Sequence, residues 1–458
     1  MKMKKMIAVL LASMMIVSLA ACGSSSSESS STETTTETTK ETESTETQDT
    51  SQAAETEEST ELTGEVSIST WGYDTSGVAF QTIVNAYMEK NPGVTVNVID
   101  YTSDDYNTSL GVAMAAATSD PDVIFIKDAG TLLTMADKNQ LLPIDDYIAA
   151  DALDLSVYSG GAELLQYNGV SYALPFRNDW YVLYYNKDLF DAAGVEYPSN
   201  DMTWEEYYEL AAQLTSGEGT EKVYGTHHHK WEALVSAWAV QDGEHTVVAE
   251  DYSFYKEWYE NTLALQDNGY MMDYATITTS NIGYADMFEN QQCAMLPMGT
   301  YFMASLISAI ANGECDDFNW GIAAIPHPST TGAGYTVGAY TPVAISAYTD
   351  VPDLAWDFVK FATSEEAAAL LGEQGVLTGI QTTESMAAIA SLDGFPQDGT
   401  SEEALSYTHF VFDRPLDPDI EEVRTVLNEV HELIMIESYS VDDGIAELNE
   451  RVAEIKGW

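Results

Sequence analysis

Aromatic and polar side chains recur in this sequence at the turns that follow predicted strands. The residues of these turns are Trp71, Tyr73, Asp74, Asp128, Asp179, Trp180, Thr300, Tyr301 and Tyr340. In an open α/β sheet, ligands bind beyond the carboxyl ends of the strands, where such turns lie. Carboxylates and hydroxyls can hydrogen-bond a polyhydroxylated ligand, and aromatic rings pack against the apolar faces of sugars. This chemistry favours a binding site for a sugar-like molecule.

We interpret the stretch Asn168–Phe190 as the segment that passes from one lobe of the fold to a second lobe. Val170–Leu174 and Tyr181–Tyr185 both show strand patterns, and a proline and three polar residues interrupt the apolar run between them. As one strand, the two stretches would extend roughly 55 Å, about three times a usual strand. We therefore expect one strand in each of two lobes, with a polar crossing at Phe176–Trp180 that lines a ligand cleft.

Alternating strand and helix patterns predict the elements that position these turns. Strands at Val66–Thr70, Val94–Val98 and Val123–Ile126 alternate with helical stripes, which is typical of an α/β lobe with parallel strands. Capping boxes are predicted at Thr203 with Glu206 and at Thr363 with Glu366. Beyond a short extended link at Leu377–Ile380, the chain is expected to be helical to about Ile455.

Composition limits the classes of partner. The 458 residues suffice for two domains, and the formal net charge is −57. Nucleic-acid affinity comes largely from Lys and Arg replacing counterions, so such an acidic chain is not expected to bind DNA or RNA. Anionic membrane surfaces would repel it as well.

The N-terminal residues have the features of a secretory signal. Residues 1–22 combine a basic start, an apolar segment and the ending Leu19-Ala20-Ala21-Cys22, which resembles a bacterial lipobox. We expect cleavage before Cys22 and lipid attachment to it; the alternative is an ordinary signal peptidase site. Residues 23–61 are rich in Ser, Thr and Glu and are expected to form a disordered tether.

Few other motifs indicate chemistry. No metal spacing involves Cys293 or Cys315, which could pair in an oxidising compartment or remain free thiols. The run His227–His229 is interpreted as a polar loop, because consecutive side chains diverge and no carboxylate stands at ligand spacing. We expect no cofactor, no metal and no catalytic residue, although a glycosidase carboxylate pair is not excluded by counting.

Several segments together resemble the extracellular solute-binding proteins of ABC importers, in the carbohydrate group that includes the maltose-binding protein. The resemblance covers about Leu62 to Trp458. The segments that carry it are Tyr87–Val94, Asp120–Val123, Leu174-Pro175, Leu183–Phe190, Thr203–Glu206 and Ala355–Phe361.

The resemblance implies a two-lobed α/β fold, each lobe a mostly parallel sheet flanked by helices, joined by hinge crossovers. The hinges would lie near Phe176–Trp180, Ile325–His327 and Val376–Gln381. Lobe 1 would comprise residues 62–177 and 326–377, and lobe 2 residues 178–325 and 378–458. Among the contacts, the resemblance adds Asn178 at the hinge and Trp231 in the second lobe.

The expected function is that of a lipid-anchored receptor on the outer face of the cell membrane. It would capture a sugar, expected to be an oligosaccharide, and deliver it to ABC permease subunits. The protein is expected to be a monomer that contacts the membrane only through its lipid anchor. The alternatives are a surface glycoside hydrolase or lyase, and a surface sensor or interaction protein. The His227–His229 run departs from the family pattern, and the high acid content would also allow an amine-bearing ligand.

Overall fold

A computed structural model describes residues 62–74, 77–158 and 160–458. The chain divides into two units, Met1–Ser59 and Thr60–Trp458, and the described residues belong to the second. The predicted signal, the predicted tether and Cys22 lie outside the described residues. None of the helices described has both the length and the apolar character needed to span a bilayer.

Strands and helices alternate along the first part of the described chain. The strands are β1 (Gly64–Trp71), β2 (Val94–Tyr101), β3 (Val123–Phe125), β4 (Gln166–Tyr167), β5 (Val170–Ser171), β6 (Ala173–Asn186), β7 (Tyr224–Thr226), β8 (Cys293–Gly299), β9 (Trp320–Ala324), β10 (Tyr335–Ile345) and β11 (His409–Phe412). The helices are α1 (Val78–Lys90), α2 (Tyr106–Ala115), α3 (Ala129–Asp137), α4 (Asp145–Ala150), α5 (Gly161–Leu164), α6 (Lys187–Ala193), α7 (Trp204–Leu214), α8 (Ala233–Val240), α9 (Lys256–Asp267), α10 (Tyr274–Ser280), α11 (Tyr284–Glu289), α12 (Tyr301–Asn312), α13 (Pro352–Ala362), α14 (Glu365–Gly372), α15 (Thr383–Ala390), α16 (Thr400–Glu403), α17 (Ile420–Met435) and α18 (Val441–Lys456).

The main sheet has the strand order β2-β1-β3-β10-β6-β8-β7, with β11 beside β10 and β9 beside β6. β1 runs parallel to β2 and β3, and β7 runs parallel to β8. β10 is antiparallel to β3 and β6, and β6 is antiparallel to β8 and β9. The α/β class is as predicted. The sheet is mixed rather than mostly parallel, because β10 is antiparallel to β3 and β6 although parallel to β11, and β6 is antiparallel to all of its partners.

β6 corrects one expectation about the crossing. Residues 176–180 do not interrupt the strand, which continues without a break from Ala173 to Asn186. The reason is a partner that is distant in sequence: Gly338–Thr341 of β10 pairs with Arg177–Trp180, and the register shifts between Thr341 and Pro342. Long-range pairing satisfies the backbone of the polar residues, so their side chains need not break the strand.

The apolar core forms separate clusters on the two sides of this crossing. One cluster contains buried apolar side chains from between Val66 and Phe176 together with others from residues 343–380. A smaller cluster surrounds α2 and α3. The largest contains the second half of β6, the strands β8 and β9, and the helices α17 and α18. β6 belongs to both sides, since its first half pairs with β10 and its second half with β8 and β9.

Local signals at helix starts were partly predicted. Thr203 and Glu206 form the predicted capping box of α7. α14 begins one residue later than predicted, because the Ser364 side chain, not Thr363, accepts the hydrogen bond from Ala367 N–H. The helical expectation for the C-terminal part was wrong at β11, where His409–Phe412 pairs with the start of β10.

Candidate functional site

The candidate residues Asn178, Asp179 and Trp180 lie where β6 leaves its pairing with β10. The next residue, Tyr181, already pairs with Gly299 of β8. Asn178 and Trp180 are buried, whereas the Asp179 side chain keeps 13% exposure. The junction between the two halves of the sheet is therefore lined by a carboxylate that solvent can still reach.

Asp179, Trp180 and Thr300 are brought into direct contact. The Thr300 hydroxyl donates to Asp179 Oδ1 over 3.1 Å and accepts from the Trp180 N–H over 3.3 Å. Burial raises the pKa of Asp179, and Arg177 and Thr300 oppose that shift. Arg177 Nε lies 3.7 Å from Asp179 Oδ2, which is beyond hydrogen-bond length. It has no hydrogen-bond partner among the described residues, so it retains donor capacity.

Trp71 forms an aromatic surface beside these groups. Its half-buried ring contacts Phe80 and Tyr106, each with ring centres 4.9 Å apart. Lys127 Nζ lies 5.1 Å from the Trp71 ring centre and Arg177 Cζ lies 5.9 Å from it. Burial lowers the pKa of Lys127 to about 8, against an opposing effect of nearby carboxylates. Two cations therefore flank one predicted stacking residue.

Tyr73 and Asp74 follow Trp71 at the edge of the described turn. Tyr73 is half-buried, and its N–H donates to Asp100 Oδ1 over 2.9 Å. Burial and the Asp74 carboxylate raise the pKa of Tyr73. Asp74 is exposed. Asp74 thus lies nearer to solvent than Trp71.

Asp128 is buried and hydrogen-bonded within the chain, unlike a side chain that is free to contact a ligand. It is the N-cap of α3 and accepts from Thr131 N–H over 2.8 Å. Arg414 Nη1 donates to its other oxygen over 3.1 Å, and Arg424 Nη1 lies 3.8 Å away. Although burial opposes ionisation, these arginines hold the pKa of Asp128 below its ordinary value. Its carboxylate is thus satisfied within the chain.

Tyr340 lies opposite Asn178 in the β6–β10 pairing, whereas Trp231 lies in the loop before α8. Tyr340 is 5% exposed and packs near Phe410 and Phe412 of β11. Trp231 is 37% exposed, with its ring 4.6 Å from His229. Tyr340 therefore adjoins the β6 junction, while Trp231 packs with the histidine loop, so the predicted residues do not all form one cluster.

Tyr301 begins α12 beside Thr300. It is half-buried, and its hydroxyl donates to Met298 Sδ over 3.1 Å. Its ring also covers Gly299, where an added Cβ would lie 2.2 Å from Tyr301 Cε1. A glycine is therefore required for the ring to occupy this position.

Sequence reasoning missed the segment Tyr407–Arg414. Tyr407 accepts from Asn178 Nδ2 over 2.9 Å, and its ring meets Trp180 edge-on with centres 5.0 Å apart. Asn178 Oδ1 has no hydrogen-bond partner in the described ranges. The alternation of aromatic residues before Asp413-Arg414 was the available signal, and the prediction of a helix obscured it.

Glu232 was also missed. It is 8% exposed at the N-terminal end of α8, and Oε1 has no partner among the residues described. Burial raises its pKa to about 7, although Ser236, Arg414 and Arg424 act in the opposite direction. Glu232 can therefore carry a proton near neutral pH.

The histidine run is a loop, as predicted, and its three side chains are buried. His227, His228 and His229 are 0%, 3% and 9% exposed. Burial lowers their pKa values to about 3, 4 and 4, so the rings are neutral. Among the described residues, no group of His, Cys, Asp and Glu is arranged to hold a metal ion. Cys293 and Cys315 are both free thiols.

Comparison with known proteins places this geometry in a family. The family model described as bacterial extracellular solute-binding protein matches residues 71–369. A sugar transporter of Rhizobium etli, crystallised in an open conformation, is 36% identical, with a TM-score of 0.74 over 85% of this chain and 99% of that one. A substrate-binding protein of Listeria monocytogenes in complex with cycloalternan is 23% identical, with a TM-score of 0.73 over 87% of this chain and 100% of that one.

A curated relative gives a shorter match. The lactose-binding protein of Rhizobium radiobacter is 26% identical over 163 residues, which is 34% of this chain and 37% of the relative. The alignment thus spans little more than a third of that relative, while the structural matches extend over nearly the whole of theirs. The structurally similar proteins have the two-lobed α/β architecture that was predicted for this sequence. The chain belongs to the family of bacterial extracellular solute-binding proteins.

Proposed function

We propose that this protein is the sugar-capturing component of an ABC importer and binds its ligand between two lobes. The observation that carries the proposal is the position of Asp179. Its partly exposed carboxylate lies where β6 passes from one half of the sheet to the other, within hydrogen-bond distance of Thr300 and close to Arg177. A ligand at this junction contacts both halves of the fold.

The side chains at the junction suit a polyhydroxylated ligand. Arg177 Nε and Asn178 Oδ1, a donor and an acceptor, have no partner among the described residues. Trp71 offers a partly exposed ring next to them. Sugar hydroxyls would complete the hydrogen bonds, and a sugar ring would pack on the indole.

Access to this site requires that the lobes separate. Trp180 and Tyr340 are almost completely buried in the described structure. The Rhizobium etli relative was crystallised in an open conformation, and we propose that this chain opens in the same way. Ligand contacts to both lobes would favour the closed state, because a ligand shifts a conformational equilibrium only by its differential affinity.

We also propose where the protein is held and which partners it serves. Lipid attachment at Cys22 would hold a monomer at the outer face of the membrane, with residues 23–61 as the tether. Lobe 1 would comprise residues 62–177 and 326–377, and lobe 2 residues 178–325 and 378–458. The sugar, which we propose to be an oligosaccharide, would pass unaltered to permease subunits. Membership of the solute-binding protein family supports this role.

One observation favours a second candidate, a glycoside hydrolase. Glu232 is buried with a pKa raised to about 7, and a carboxyl that stays protonated near neutral pH is what a general acid requires. A thermal-shift screen of mono-, oligo- and amino sugars, followed by chromatography of the best ligand after incubation, separates the two functions. A receptor shows a raised Tm and an intact sugar. Shortened sugar products would establish hydrolysis instead.

A further inference from the structure

A cavity of about 260 Å³ lies apart from the residues of the proposed sugar site. Its walls come from α7, α8 and α9, from the segment between α8 and α9, and from the Pro328–Thr330 turn. None of the residues that line it is among the candidate contacts at the β6 junction. It therefore requires an explanation of its own.

Aromatic rings form one side of this cavity. The Trp204 ring centre lies 4.8 Å from that of Trp238 and 5.7 Å from that of Trp258. Trp258, Tyr208 and Phe254 are half-buried, so part of each ring remains open. We call these five residues the aromatic wall. Indole faces carry negative electrostatic potential, and they attract organic cations that have left water.

An unpaired donor belongs to the same wall. Trp238 is 1% exposed, and its Nε1 has no hydrogen-bond partner among the described residues. The neighbouring Trp204 Nε1 instead donates to Gln241 Oε1 over 2.9 Å. A buried N–H without an acceptor is costly, so a ligand oxygen at this position would be stabilising.

Carboxylates supply the charge of the cavity. Asp242 is paired with His245, the only basic residue among the described residues of the lining, with Oδ2 and Nδ1 3.0 Å apart. Glu205 and Glu257 form no ion pair within the described ranges; Glu205 accepts only a neutral hydrogen bond from Ser329 Oγ over 3.1 Å. Burial, and then Glu257, raise the pKa of Tyr208, and Glu205 adds to the effect. Both carboxylates are thus close enough to act on the aromatic wall.

From this combination we propose that the cavity binds a small organic ammonium ion that also carries a hydroxyl group. The ammonium group would lie against the aromatic wall between Glu205 and Glu257, and the hydroxyl oxygen would accept from Trp238 Nε1. A neutral sugar would use the rings and acceptors but would gain no charge attraction from the two carboxylates or from the ring faces.

The test uses choline as the probe and titration calorimetry of the full chain. We expect saturable binding that is at least tenfold tighter than that of the neutral choline isostere in which carbon replaces nitrogen. Glu257→Gln and Trp258→Ala should each weaken choline binding about fivefold or more, since each removes one of the two attractions. Glu257 is exposed, so its variant is expected to fold even if Trp258→Ala does not.

Two controls separate this inference from the proposed function. Glu260→Gln removes an exposed charge from the same helix outside the cavity and should leave choline affinity unchanged. Asp179→Asn, at the proposed sugar site, should also leave it unchanged. Absence of choline binding, equal affinity for the neutral isostere, or unchanged affinity in Glu257→Gln would each overturn the inference. Glucose binding that is lost in Glu257→Gln would show that the cavity is a second sugar site instead.

Discussion

The Thr300 hydroxyl and the Asp179 carboxylate are joined by a 3.1 Å hydrogen bond that links the start of α12 to β6. The same hydroxyl accepts the Trp180 N–H over 3.3 Å. One side chain thereby fixes both the backbone of the crossing and the orientation of the carboxylate. The position of Asp179 depends on Thr300.

Thr300→Val should therefore impair both stability and binding. Valine keeps the shape but leaves the Trp180 N–H without its acceptor and Asp179 without a donor, which costs about 1–3 kcal/mol of unfolding free energy. Thr300→Ser retains the hydroxyl and should lose less than about 1 kcal/mol. Urea denaturation of both variants checks this. Equal stability of Thr300→Val and the wild type would show that the hydroxyl has no such role.

The close approach of β6 and β10 at the crossing should leave no room for a side chain at Gly338. A Cβ at Gly338 would lie 2.3 Å from the Asp179 carbonyl oxygen and 2.8 Å from Trp180 Cα, both of them backbone atoms. We expect Gly338→Ala to lower the unfolding free energy by about 1–3 kcal/mol. Gly332→Ala is the matched control, because no described atom beyond its two chain neighbours lies within 4 Å of its added Cβ. Similar melting temperatures for the two variants would contradict the close approach of the strands.

The pair Asp128–Arg414 should contribute strongly to the folded state. Asp128 is 1% exposed, so Arg414→Gln leaves a buried carboxylate with only the more distant Arg424. We expect a loss of about 3 kcal/mol. Adding Asp128→Asn should restore part of that loss, since the uncompensated charge disappears. A double-mutant cycle by chemical denaturation measures the coupling, and strictly additive effects would show that the two side chains do not interact.

The buried histidines predict a sign for the pH dependence of stability. Burial lowers the pKa of His227 from 6.5 to about 3. Between these values the unfolded chain binds a proton that the folded chain does not. Stability is therefore complete above about pH 6.5 and falls on acidification, by about 2 kcal/mol for one such histidine between pH 7 and pH 5.

His227→Leu should remove that contribution. Neither ring nitrogen of His227 has a partner among the described residues, so leucine leaves no group unpaired. The decrease in unfolding free energy from pH 7 to pH 5 should shrink by about 2 kcal/mol relative to wild type. Glu232, whose pKa is raised, acts in the opposite direction in both proteins and cancels from the difference. Parallel pH profiles of variant and wild type would show that His227 titrates normally in the folded chain.

Local patterns predicted the elements whose signals are contained within a few residues. The capping box at Thr203 and the strands β1, β2 and β3 are examples, because periodicity and capping depend on near neighbours. The N-cap of α14 was predicted one residue too early, at Thr363 instead of Ser364. Local patterns therefore do not fix the first residue of a helix. The alternation of strands and helices was also enough to predict the α/β class.

Features that depend on distant contacts could not be predicted in this way. The continuity of β6 depends on β10, more than 150 residues later, and the pair Asp128–Arg414 spans 286 residues. The burial of His227–His229 was not predicted either. Their burial depends on packing by elements such as α7, where the Tyr207 hydroxyl contacts His228 Nε2 at 2.9 Å. No local pattern records such contacts.

Trp180 is a poor position for testing the site by truncation. Its ring is 2% exposed, and replacing a buried tryptophan by alanine costs roughly 3–5 kcal/mol. Loss of binding in such a variant would not be separable from unfolding. Asp179 is the better position, because Asn has the same shape and differs only in charge and in hydrogen bonding.

The most direct measurement is a calorimetric titration with the sugar that raises the Tm most, comparing wild type, Asp179→Asn and the exposed control Asp267→Asn. We predict one sugar per chain and equal affinity for wild type and Asp267→Asn. We also predict at least tenfold weaker binding by Asp179→Asn, since a charge-assisted hydrogen bond at the junction is lost. An Asp179→Asn variant that binds the sugar as tightly as wild type would contradict capture at the β6 junction.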